Sequence, residues 1–159
     1  MALSSGSYMI SIKILADLPE DLQKIKTRDL EQYEKSHGVC VNYRQFSLVL
    51  SDSATHRPLG VLSAYTAFSE IYIDDIWVET THRRKGYGKT LLQYLEQHFE
   101  NKGFNNINLV TSQFQAPTFY QKCGYELEFI RKNIPHPALN KYFFIKFFKN
   151  ENQTQGHLI

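Results

Sequence analysis

Several absences narrow what this chain of 159 residues can be. Its two cysteines, Cys40 and Cys123, are too few for a disulfide framework, so a reducing, cytoplasmic setting is the expectation. No apolar run approaches the about 18 residues that a membrane helix needs. The opening stretch MALSSGSYMI lacks the basic start and long apolar region of a signal peptide. A net charge of +2 is too small to imply a nucleic-acid surface, and the basic residues cluster locally rather than along a face. Six histidines are scattered without ligand spacing, which argues against a metal site. What is present is ordinary for a globular chain: 42% hydrophobic and 21% charged residues, enough for one domain with a substantial core. Residues 1–8 read as a flexible lead, 9–148 as a single domain and 149–159 as a polar tail.

The chain is organised around residues 70–100. Ile71 to Val78 is rich in β-branched and aromatic residues, the mark of a strand. His82 to Lys89 is a basic turn punctuated by Gly86 and Gly88. Leu91, Leu92, Leu95 and Phe99 then recur at helical spacing. A strand, a glycine-bearing turn and a helix make an anion site, because a helix start leaves backbone N–H groups free and carries the positive end of the dipole. Arg83, Arg84, Lys85 and Lys89 add formal charge, and the expected guest is a phosphate or pyrophosphate. Gly88-Lys89-Thr90 resembles the end of a nucleotide P-loop, but Arg83 stands where that motif needs its first glycine. The dinucleotide fingerprint needs three glycines opening the first βα unit, and only two are present, in mid-chain.

Along the chain, Met9 to Leu15 reads as a first strand. A helix follows, with Asp17 as cap, Pro19 in the first turn, Glu20 in capping-box position and an end at His37-Gly38. Val41–Leu50, Val61–Phe68 and the strand from Ile71 form an antiparallel meander. After the long helix, stopped at Lys102-Gly103-Phe104, come a parallel strand at Ile107–Thr111 and a short helix at Ala116–Lys122 capped by Cys123-Gly124. Strands at Tyr125–Ile130 and Tyr142–Phe148 complete a β-α-β-β-β-α-β-α-β-β order, a mixed α/β sheet with helices on its faces.

Arg83-x-x-Gly86-x-Gly88 between strand and helix resembles the acetyl-CoA loop of the GNAT superfamily of N-acetyltransferases. A second segment is similar to that family's motif in register, through Ala116, Phe119, Tyr120, Gly124 and Tyr125, with Gln113 where asparagine is usual. The element order also resembles the GNAT fold, and the likeness covers residues 41–148, weakest before Val41. It implies acetyl-CoA as donor, no metal, and amides from Arg83 to Gly88 on the pyrophosphate, Tyr87 included, with Lys89, Thr90 and Gln113 also contacting the cofactor. It also implies that the backbone of Ile76, Trp77 and Val78 pairs with the pantetheine arm, and that Tyr120 is the general acid for the departing thiolate. The strand 72–78 is similar to its counterpart in spermidine/spermine acetyltransferases. By that likeness Asp74 deprotonates the amine through water and Asp75 attracts a cationic acceptor. Strict alternation puts Tyr72, Asp74, Ile76 and Val78 on one face and Asp75, Trp77 and Glu79 on the other, unless a bulge intervenes.

The expectation is therefore an N-acetyltransferase acting on a primary amine of a small molecule or peptide by direct transfer. Two rivals share the fold: a non-catalytic acetyl-CoA sensor, and a protein-lysine or N-terminal acetyltransferase. The partners expected are acetyl-CoA and an amine acceptor, with no nucleic acid and no membrane, and room for a homodimer. The first helix, the 52–58 turn and the loop 133–140 are the candidate acceptor walls. His136 in that loop precedes Pro137 rather than the residue its context resembles, which leaves its role open.

Overall fold

A computed structural model describes residues 11–149, which divide into two compact units between Cys40 and Val41. The division falls where the sequence resemblance weakens. Met9 and Ile10 of the expected first strand lie outside the described residues, and residues 11–15 take no regular structure. The expected lead 1–8 and all but Lys149 of the expected tail also lie outside them.

The smaller unit holds one helix, α1 (Glu20–Ser36). Its cap differs from expectation. Pro19, extended at φ −52° and ψ 141°, is the N-cap residue, and its carbonyl accepts from Gln23 N at 2.9 Å. No side chain caps the helix, and Asp17 stands two residues before the N-cap position. The helix ends at His37, before Gly38 at φ +72°, as expected.

The larger unit is built on six strands: β1 (Arg44–Ser51), β2 (Pro58–Ala67), β3 (Glu70–Val78), β4 (Asn106–Ser112), β5 (Glu126–Arg131) and β6 (Lys141–Phe147). Their spatial order is β1-β2-β3-β4-β6-β5. Every neighbouring pair is antiparallel except β3 and β4, which the helix α2 (Tyr87–Phe99) separates in the chain. A short helix α3 (Pro117–Lys122) joins β4 to β5. Leu91, Leu92 and Leu95 lie at most 3% exposed on one side of α2 and meet Leu62, Ala64, Ile71, Ile73, Ile107, Leu109 and Phe144 on the sheet. Burying each such leucine contributes about 1.5–3 kcal/mol. The helix stops at Phe99, earlier than Lys102-Gly103-Phe104 suggested, because Glu100 is already extended at ψ 135°. Asn101 and Gly103 then take the left-handed region and turn the chain back.

The β3–β4 pairing positions the site. It runs only from Glu70 opposite Asn106 to Ile73 opposite Leu109. A polar knot fastens that end: Glu70 accepts from the Tyr72 hydroxyl, from Asn106 Nδ2 at 3.1 Å and from Asn108 Nδ2 at 3.3 Å. These hydrogen bonds, that from Tyr72 first, hold the Glu70 carboxyl below its ordinary pKa. Beyond Ile73 and Leu109 the two strands run on without pairing each other.

Candidate active site

The unpaired half of β3 begins with an irregularity. Ser63 on β2 faces Asp75 while the next residue, Ala64, faces Ile73, so Asp74 has no counterpart: it is the extra residue of a β-bulge. The bulge resets the alternation. Ile73, Ile76 and Val78 lie opposite Ala64, Leu62 and Gly60, the face that α2 covers, whereas Asp75 and Trp77 lie opposite Ser63 and Val61, on the face of Tyr72. This corrects the face assignment from strict alternation: Tyr72 goes with Asp75 and Trp77, not with Ile76 and Val78. Trp77 is 45% exposed and is not a core aromatic. Asp74 and Asp75 are both exposed, and neither has a hydrogen bond or ion pair among the described residues.

A 3₁₀ turn at Thr80–His82 leads from β3 into the basic loop. Glu79 gathers it, accepting from Thr81 Oγ1, from the His82 ring and from Arg57 Nη2 at 3.3 Å. Those partners, Thr81 first, hold the Glu79 carboxyl below its ordinary pKa. The His82 ring stacks on Tyr87, the first residue of α2. Arg83 donates from Nε to the Val78 carbonyl at 3.2 Å, and its backbone N–H reaches Thr80 O at 3.4 Å.

From Arg84 onward the backbone opens. Arg84 and Gly86 sit in the left-handed region, at φ +62° and +87°. No acceptor among the described residues takes a hydrogen bond from the backbone N–H groups of Arg84, Lys85, Gly86, Tyr87, Gly88 or Lys89. Six consecutive donors at a helix start, flanked by Arg83, Arg84, Lys85 and Lys89 without carboxylate partners among the described residues, form an anion-binding concavity. Thr90 is the first residue outside it, since both its N–H and its hydroxyl bond the Gly86 carbonyl, at 3.0 and 3.3 Å. A Cβ on Gly86 would have nothing within 4 Å, so that glycine serves the backbone angle. A Cβ on Gly88 would lie 3.1 Å from the Phe119 ring, so that glycine serves the approach of α3.

Phe119 brings α3, and hence Tyr120, beside the loop. Tyr120 is 8% exposed, its ring near those of Phe119, Phe144 and Tyr125 with centroids 5.0, 6.0 and 6.1 Å away. Burial, with smaller contributions from Cys123 and Asp75, pushes the Tyr120 phenol up to about 12. The end of α3 is a Schellman motif: Tyr125 N donates to Tyr120 O at 3.1 Å, Gly124 N to Gln121 O at 3.0 Å, and Gly124 takes φ +85°. This is the C-cap expected at Cys123-Gly124.

Gln113 sits at the exit of β4, committed to the loop 133–140. Its Oε1 accepts from Asn140 Nδ2 at 3.1 Å and its N–H donates to Asn140 O at 3.0 Å. Asn140 Oδ1 accepts from Asn133 N at 2.7 Å, and Asn133 Oδ1 from His136 N at 3.0 Å. The His136 side chain has no partner among the described residues. Sequence reasoning missed this amide ladder, the Glu79 knot and Lys146, although Lys146 is the one charged residue in the run YFFIKFF.

The comparisons with known proteins bear on this geometry. Residues 13–125 match the model of the acetyltransferase (GNAT) family. The chain is 32% identical over 89 residues to the uncharacterised YyaT protein of Bacillus subtilis, covering 54% of this chain and 60% of that protein. It is 30% identical over 88 residues to blasticidin-S acetyltransferase of Streptomyces morookaense, covering 55% and 64%. The matched stretch thus spans less than two thirds of either relative. An acetyltransferase from Bacillus cereus superposes with a TM-score of 0.68 at 27% identity, covering 86% of this chain and 98% of that one. An aminoglycoside 6′-N-acetyltransferase complexed with coenzyme A superposes at 0.57 with 17% identity, covering 82% and 89%. The family match takes in β3, the open-amide loop, α2 and α3, and the chain belongs to the acetyltransferase (GNAT) family.

Proposed function

We propose that the chain is an N-acetyltransferase that moves an acetyl group from acetyl-CoA directly to a primary amine of a small molecule or peptide. The observation that carries this reading is the unpaired stretch of β3 beside a run of six free amides, with Tyr120 on the helix packed against that run. The residues fit the donor. Its pyrophosphate suits the amides of residues 84–89 and their four cations. Its extended arm suits the free edge of Ile76, Trp77 and Val78. Relatives named for blasticidin S and for aminoglycosides support a small-molecule acceptor.

When bound, acetyl-CoA supplies an activated thioester. The rest falls to the chain's own side chains. Asp75 attracts the cationic acceptor, and Asp74, set apart by the bulge, takes its proton through water so that a lone pair is free to attack. Tyr120 acts at the sulfur position. With its phenol near 12, full proton transfer to a thiolate of ordinary pKa near 8.5 lies roughly 5 kcal/mol uphill. A hydrogen bond from Oη, strengthening as charge develops on sulfur, is the role its burial favours.

Calorimetric titration with acetyl-CoA, with ATP as control, tests the donor site, and thiol release in a panel of primary amines tests turnover. Micromolar acetyl-CoA binding without ATP binding is expected. Gly86→Val should weaken it at least tenfold, because a β-branched residue is strained by about 1–2 kcal/mol or more at φ +87°. Absence of acetyl-CoA binding, or equal binding of ATP, overturns the reading.

A further inference from the structure

The cap of α3 satisfies the carbonyls of Phe119, Tyr120 and Gln121 but supplies no backbone donor to that of Cys123. Lys146, on β6, takes it: Nζ donates to Cys123 O at 3.0 Å and to Glu96 Oε2 on α2 at 2.8 Å. The same ammonium lies 5.4 Å from the centre of the Tyr125 ring. Tyr125 Oη is itself buried and has no hydrogen bond of good geometry among the described residues. Two residues earlier on the same face of β6, Phe144 packs against the ring of Tyr120. One strand thus holds α3 twice, by a ring at Tyr120 and by a cation at the helix end.

A half-buried ion pair is a poor way to gain stability, since an apolar pair of similar volume packs as well or better. What Lys146 adds is direction: one hydrogen bond to the Cys123 carbonyl, from an ammonium anchored on Glu96 of α2, fixes the C-terminal end of a helix of only six residues. We propose that Lys146 is a positioning residue, clasping α3 together with Glu96 so that the Tyr120 hydroxyl is held where the acetyl group transfers. This rests on the acetyl-transfer reading above.

Three variants test it: Lys146→Met, Lys146→Arg and the double variant Glu96→Gln/Lys146→Met. Two measurements are made on each, hydrogen exchange of residues 117–125 in the protein alone, and kcat and KM with acetyl-CoA. Lys146→Met should lower kcat tenfold or more, since a misplacement of about 1 Å can cost roughly 10²-fold, leave the KM for acetyl-CoA within about threefold, and speed exchange across 117–125. Lys146→Arg should recover part of the lost kcat. The double variant leaves no orphaned carboxylate, so it should regain the melting temperature but neither kcat nor slow exchange. It also carries the test should Lys146→Met fail to fold. Full kcat in Lys146→Met, recovery of kcat along with melting temperature in the double variant, or unchanged exchange across 117–125 overturns the clasp. An unaltered chain that binds no acetyl-CoA and turns over no amine sinks the acetyl-transfer reading instead, and the exchange rates then judge the clasp alone.

Discussion

The hydroxyl of Tyr120 makes no hydrogen bond among the described residues, while its ring is packed on three sides by Phe119, Tyr125 and Phe144. Removing the hydroxyl therefore leaves the packing almost untouched. Tyr120→Phe should slow acetyl transfer by roughly 10²-fold, the usual worth of a positioned proton donor, with acetyl-CoA affinity and melting temperature nearly unchanged. A variant with full activity removes Tyr120 from the chemistry. The place of Tyr120 on α3 was legible in the sequence because its register with Ala116 and Gly124 is local, a matter of one short helix and its cap. The status of Asp74 was not. A bulge exists only in the register between two strands, and nothing in 70–78 alone distinguishes Asp74 from Asp75 as the extra residue. The Lys146–Glu96 pair was likewise out of reach, since 50 positions separate its members.

The strand, loop and helix from β3 to α2 form the element in which the anion site resides, and α3 docks on its first turn. Gly88 is the point of contact. A methyl group there would improve the helix by up to about 1 kcal/mol, but it would meet the Phe119 ring at 3.1 Å. The half-buried Phe119 ring, which lies against the ring of Tyr120, would have to shift by a few tenths of an ångström to make room. Gly88→Ala should lower the melting temperature and weaken acetyl-CoA binding together, and Phe119→Leu in the same chain should restore both. Thermal unfolding and calorimetry on the single and double variants check this, and an unperturbed single variant refutes the contact. At this scale the sequence was informative: the meander, the parallel crossover, α3 and the last two strands are all present in the expected order, although β1 begins at Arg44 rather than Val41 and β2 at Pro58 rather than Val61. Helix ends were harder. Asp17 and Gly103 are good start and stop residues, yet the extended backbone of Pro19 and Glu100 decides both boundaries.

Across the whole molecule, buried phenols set a limit on alkaline stability. Burial raises the folded pKa of both Tyr120 and Tyr125 above the ordinary value near 10. Below pH 10 both states hold the proton and the contribution is complete. As pH climbs from 10 to 12 the unfolded chain ionises first, and that contribution is lost. For Tyr120, with a folded pKa of about 12, the loss reaches about 2–3 kcal/mol. About half of that is lost by pH 11, so the urea midpoint should be lower there than at pH 8, and the drop smaller in Tyr120→Phe. Equal midpoints would show that these phenols titrate as in water.

The run of bare amides from Arg84 to Lys89 and the unpaired edge of β3 have a consequence for how such a chain can change over generations. Both are made of main chain, which every residue but proline supplies in full, so substitutions at Lys85 or Trp77 alter side chains, one of them a cation, while the amides and carbonyls proposed to grip the donor stay in place. The groups proposed to meet the amine, Asp74 and Asp75, are side chains, and each is one codon away from a different chemistry. In the reading proposed here, donor recognition is written in the path of the backbone and acceptor choice in its decoration. A descendant can acquire a new acceptor while inheriting the old donor intact.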